Sequence, residues 1–131
     1  MIKVEASIGK DTYKTTLTSS ADNTLIADEP FDNGGKNLGF SPKELLSASL
    51  AACTSITLRM YADHKKIDLK EIKVDVELLL DATSSTTTIQ RKIELIGDLT
   101  EEQRTRMLAL ANVCPVHKIL SHPIEIKTEI L

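Results

Sequence analysis

Gly39-Phe40-Ser41-Pro42-Lys43-Glu44-Leu45-Leu46-Ser47-Ala48-Ser49-Leu50-Ala51-Ala52-Cys53-Thr54-Ser55-Ile56-Thr57-Leu58 is the stretch on which the fold turns. Ser41 can cap a helix. Pro42 suits the first helical position, where its missing N–H would be unpaired anyway, and Glu44 completes a capping box. The helix is expected to run to about Lys65. Leu45, Leu46, Ala48, Leu50, Ala51, Ala52, Cys53, Ile56 and Leu58 leave it no clearly polar side. A helix apolar all round has to be buried all round. In a single domain of 131 residues, one sheet covers one side only. A second copy of the helix in a homodimer is the economical cover for the other.

Upstream, three short strands are expected at Ile2–Ile8, Thr12–Thr18 and Asn23–Ala27. In the first, Ile2, Val4, Ala6 and Ile8 alternate with Lys3, Glu5 and Ser7, the period of a half-buried strand. Gly9-Lys10-Asp11 and Ser19-Ser20-Ala21-Asp22 read as turns. From Asp28 to Phe40 the composition shifts to Asp, Asn, Pro and Gly, the mark of a mobile loop. Its Gly34-Gly35 pair matches no phosphate-binding pattern.

Downstream, Ile72, Val74, Val76, Leu78 and Leu80 alternate with Lys73, Asp75 and Glu77, and Ile89, Ile93 and Leu95 with Gln90, Lys92 and Glu94, with Ser84-Ser85 in the turn between. Arg91 falls on the apolar parity of its strand. Thr100-Glu101-Glu102-Gln103 is a second capping box. It opens a helix that places Gln103, Met107, Leu110, Ala111 and Cys114 on one face. Pro115 interrupts it, a short turn Val116–Leu120 follows, and Ile124, Ile126, Thr128 and Ile130 predict a closing strand.

Composition excludes several classes. The net charge is -3, with basic residues scattered among acids rather than gathered in a stripe, and aromatics make up 3% of the chain. Neither nucleic-acid grooves nor single strands are recognised by such a surface. The uncharged stretch Leu45–Leu58 is short for a bilayer and rich in Ser, Thr and Ala, so no membrane is expected. Met1 to Glu5 alternates like a strand and does not resemble a secretory leader, which points to the cytoplasm. Two cysteines in that compartment are normally reduced.

Cys53 lies about three turns into the long helix, too far from its start for the dipole to lower the thiol pKa, while burial raises it. As a thiolate it needs a cation that the helix does not itself supply. Cys114 precedes Pro115 and so stands near the cap of a new helical turn. Three uses are open: packing, a reversible dithiol pair, and metal binding with His117. No Cys-x-x-Cys or His-x-x-x-His spacing supports the last. His64 and His122 fall in loops. No cofactor motif is present.

Gly39 to Leu46 running into Leu50-Ala51-Ala52-Cys53-Thr54 resembles the central helix of the OsmC/Ohr family, and Asn112-Val113-Cys114-Pro115-Val116-His117 resembles its second-cysteine segment. Asp28-Glu29-Pro30 and the order of strands fit as well, over essentially the whole chain. The resemblance implies an α+β fold with antiparallel sheets wrapped around a long central helix in an intertwined homodimer. It also implies a thiol peroxidase acting on organic hydroperoxides. Cys53 would be the peroxidatic cysteine and Cys114 the resolving one, with an external dithiol as reductant. Two departures stand out. The family's peroxidases carry glutamate directly after the proline, where this chain has Lys43, with Glu44 following. They also carry an arginine in the N-terminal half, and here none precedes Arg59. Lys10, Lys14, Lys36, Lys43, Arg59 and Arg91 are the available cations, and lysine lacks the planar fork of arginine. Glu44 lies nine helical residues from Cys53, about 13.5 Å along the axis, so a cap is as good a role for it as a catalytic one. The other readings are a non-enzymatic dimer binding a small lipid-like ligand and a thiol redox sensor.

Overall fold

The computed structural model describes residues 1–131. Three strands, a long helix, two long strands and two shorter helices follow one another, an α+β order. Contacts gather into two units, Met1–Leu46 and Ser47–Leu131.

In the first unit β1 (Val4–Ile8), β2 (Thr15–Ser19) and β3 (Thr24–Ala27) form an antiparallel meander, with Ala6 opposite Leu17 and Leu17 opposite Leu25. Alternation in β1 predicts one covered face, but all five of its residues are exposed. The pattern is a property of its side chains, and the three-stranded meander does not itself bury them. The β2–β3 turn is closed by Ser19, whose hydroxyl accepts from the backbone N–H groups of Ala21 and Asn23.

The segment 28–40, expected as a mobile loop, is organised around one carboxylate. Asp28 is buried and accepts the backbone N–H groups of Tyr13, Glu29, Lys36 and Leu38. Phe31–Asn33 forms a single 3-10 turn, closed by Gly34 at φ 86°. Ala27 bridges Phe40 in parallel. A Cβ at Gly39 would collide with the Ile26 carbonyl, so that close approach requires glycine.

Helix α1 (Pro42–His64) begins as its capping box predicts: the Ser41 N–H donates to Glu44 Oε1 at 3.0 Å, and the Glu44 N–H donates to Ser41 Oγ at 3.3 Å. At 23 residues it is long and apolar enough, by length and composition alone, to cross a membrane. Leu50, Thr54, Leu58 and Ala62, four residues apart, are its buried stripe. Ala52, Ile56 and Met60 on another face are exposed.

In the second unit β4 (Leu69–Leu80) and β5 (Thr87–Gly97) form a long antiparallel hairpin, with Val76 opposite Arg91. Helix α2 (Glu101–Ala111) has its capping box between Thr100 and Gln103. Leu58, Ala62, Leu69 and Met107 make the core, with Tyr61, Ile72, Ile93 and Leu95 packed against it. Helix α3 (Pro115–Leu120) is a short turn with Cys114 at its cap. The closing strand expected at Ile124–Ile130 does not form: residues after Ser121 have no regular structure and are exposed. Its alternation is real, but a strand requires a backbone partner, and none in this chain reaches it.

Candidate dithiol site

The two cysteines arrive from opposite directions in the chain. Cys53 sits on α1 beside the buried stripe and keeps part of its surface open; Cys114, where α2 hands over to α3, has none. The Cys53 side chain lies near enough to Cys114 to act on its thiol. The two cysteines of the dithiol pair left open by the sequence are thus neighbours, and both thiols are free.

Thr54 links the pair to the rest of the site. Its hydroxyl donates to the Leu50 carbonyl at 2.7 Å and lies 4.0 Å from Cys114 Sγ. One face of the same oxygen accepts Arg91 Nη1 at 3.1 Å. The other arm of that guanidinium, Nη2, donates to Asn112 Oδ1 and to His117 Nδ1, each at 3.0 Å. Guanidinium only donates, so Nδ1 accepts and the ring proton of His117 lies on Nε2. Arg91 thus ties together α1, the end of α2 and α3 from its place on β5. None of its three partners is a carboxylate, and no acid pairs with it.

Electrostatics distinguish the second thiol. Burial pushes the Cys114 thiol up, but the His117 backbone N–H, the Cys53 and Thr54 side chains and the Arg91 charge outweigh it and hold the group below its ordinary value of 9.0. The surroundings thus make Cys114 easier to ionise than an ordinary thiol.

Beside this network lies a pocket of about 230 Å³. Leu50, Ile89 and Leu120 supply its apolar wall; Thr87, Arg91, His117 and Ser121 supply its polar one.

Of the residues expected to act, Cys53 and Cys114 are together. Glu44 is at the cap of α1, where the Ser41 N–H and hydroxyl hold its carboxyl below the usual range. The sequence reading did not foresee Thr54, Asn112 or His117 as partners of one arginine. The one signal for it was Arg91 itself, a charge on the apolar parity of β5. Among the other cations, Lys36 pairs with Asp11 at 2.7 Å, and Arg59 donates to the Leu69 carbonyl at 2.6 Å.

The family profile described as OsmC-like protein matches residues 34–129. A candidate osmotic-stress-induced and detoxification response protein from Psychrobacter arcticus 273-4 is similar, at 27% identity and TM-score 0.79, over 94% of this chain and 90% of that one. An OsmC-like protein from Mycoplasma pneumoniae shares the fold at 21% identity and TM-score 0.77, over 92% and 86%. So does the organic hydroperoxide resistance protein OhrB of Bacillus subtilis, at 24% identity and TM-score 0.61, over 92% and 90%. Among curated proteins no sequence matches. With the profile spanning residues 34–129 and the fold shared along the chain, the protein belongs to the OsmC-like family.

Proposed function

We propose that this protein is a cysteine-dependent peroxidase that reduces organic hydroperoxides through Cys53 and Cys114. The observation that carries the reading is the placing of a part-exposed Cys53 near a buried Cys114, both as free thiols. Family membership and relatives named for organic hydroperoxide resistance support it. Part-exposed Cys53 meets the substrate. Its sulfur attacks the distal peroxide oxygen, the O–O bond breaks, the thiol proton leaves with the alcohol, and Cys53 is left as a sulfenic acid. The Cys114 sulfur then displaces hydroxide from Cys53 Sγ, which leaves as water, and the S–S bond forms. An external dithiol returns both to thiols. Glu44 is proposed as a cap of the helix that carries Cys53, not a group acting on peroxide.

The working form is proposed to be a homodimer. Ile56 and Met60 leave an apolar face of α1 exposed, and the alternating segment 124–130 lacks a partner strand. A second copy can satisfy both.

The test uses two variants. Cys53→Ser is expected to abolish hydroperoxide consumption, whereas Cys114→Ser consumes one equivalent and stops with a dimedone-reactive sulfenic acid on Cys53. Equal turnover by wild type and Cys53→Ser would refute the assignment. A second reading, binding of a small amphipathic ligand, is favoured by the half-apolar pocket beside Arg91 and His117. A co-purified molecule in the native mass spectrum together with inert thiols would decide for it.

A further inference from the structure

Arg91 presents a problem that the peroxidase reading leaves open. A charged residue on the inner parity of a strand is costly unless its donors are used. Here they are used, on three different elements, and none of the partners neutralises the charge. An arginine satisfied only by neutral acceptors projects its field onto whatever ionisable group lies next in line. The titratable groups around Cys114 are Cys53 on α1, Arg91 on β5 and His117 on α3.

Exposure and charge point to different cysteines. Cys53 has the open surface that a substrate needs, while Cys114 has none and yet is the thiol on which Arg91 acts. The link runs through Thr54. Its single hydroxyl proton has two claimants, the Leu50 carbonyl at 2.7 Å and Cys114 Sγ at 4.0 Å. A guanidinium N–H donated into the same oxygen polarises that O–H and makes it a better donor. As charge gathers on Cys114 Sγ, the hydroxyl can turn toward it. Cys114 is therefore equipped for the step in which its sulfur must be an anion and needs no access to solvent: attack on oxidised Cys53.

We propose that Arg91, acting through Thr54, is a positioning residue for the second step of thiol oxidation, aligning the Cys114 sulfur as the nucleophile that resolves the Cys53 sulfenic acid. The proposal rests on the peroxidase reading and assigns a step within it. In that step the Cys114 sulfur supplies an electron pair to Cys53 Sγ, the S–O bond breaks, and the departing hydroxide takes a proton from water or buffer. The arginine serves the resolving cysteine, and the first attack is governed by the exposure of Cys53.

The size of the effect follows from two opposed trends. Each unit by which a thiol pKa rises removes about tenfold of its thiolate below that pKa, while the greater nucleophilicity of the more basic sulfur restores about threefold. A net loss of about threefold per unit remains, before any misalignment is counted. In single-turnover mixing with cumene hydroperoxide, loss of peroxide reports the first step and loss of dimedone-trappable sulfenic acid reports the second. Arg91→Met is expected to slow the second step more than the first, by about threefold for each unit that the Cys114 thiol rises. Arg91→Lys, which keeps the charge but not the fork, is expected to recover part of the difference. A readout independent of peroxide is thiolate absorbance against pH in the Cys53→Ser background, which leaves Cys114 as the sole thiol. Its midpoint is expected to rise in Arg91→Met and to return part of the way in Arg91→Lys. If wild type turns over and both Arg91 variants form the disulfide as fast as it does, or if only their first step slows, the proposal is overturned and the peroxidase reading stands. If wild type consumes no hydroperoxide, that reading is lost and the proposal with it.

Discussion

A carboxylate that accepts several backbone N–H groups loses that role when it is protonated, and Asp28 is such a group. Burial pushes its carboxyl up, but the N–H groups of Glu29, Leu38, Tyr13 and Lys36 outweigh burial and hold it below its ordinary value of 3.8. A carboxyl whose folded pKa is depressed stabilises the fold fully above its unfolded pKa and ceases to do so as pH falls through the folded value. Asp28→Asn is therefore expected to lower Tm at neutral pH, since one side of an amide offers donors where acceptors are needed. The difference from wild type should shrink in thermal melts as pH falls below about 4. A constant difference down to acid pH would contradict the role. Single residues were unevenly legible in the sequence. Cys53 and Cys114 stood out because their flanking residues carry a pattern, and Glu44 because its partner is three residues away. Apart from the adjacent Glu29, Asp28 and Arg91 draw their partners from segments 8 to 37 residues distant, and spacing along the chain carries no record of such partners.

Helices α1 and α2 were legible because a capping box and the apolar residues that follow it are local. Both boxes are present as hydrogen-bonded pairs. Thr100→Ala removes one of them and is expected to cost about 1 kcal/mol by urea unfolding. Met107 is the residue by which α2 enters the core, at 0% exposure. Met107→Ala should cost about 2–5 kcal/mol, because α1 and the hairpin leave a cavity where the side chain was. Equal midpoints for this variant and wild type would show that the core does not depend on α2. The strands mark where element reading failed. In β4–β5 alternation and pairing coincide along the hairpin, since one chain supplies both strands. At Ile124–Ile130 the alternation is as regular, yet no strand forms. Periodicity reports which side chains could share a face; it does not supply the neighbouring backbone.

For the whole molecule, the unmet requirements of separate elements converge on one expectation. An exposed apolar helix face and an unpaired alternating segment are surfaces that a monomer rarely leaves open. Sedimentation should therefore give a dimer, and the pair of substitutions Ile56→Glu and Met60→Glu should shift it toward monomer. A wild-type monomer at micromolar concentration would contradict this. The family follows from residues 34–129; the proposed activity turns on the two sulfurs, and on them one measurement bears most directly. Reduced protein is mixed with one equivalent of cumene hydroperoxide, quenched, and analysed by intact mass and peptide mapping. The expected result is a loss of two hydrogens, with Cys53 and Cys114 joined in one cross-linked peptide pair. Two unchanged thiols after minutes of exposure, at the mass of the reduced chain, would contradict the claim that they form a redox pair.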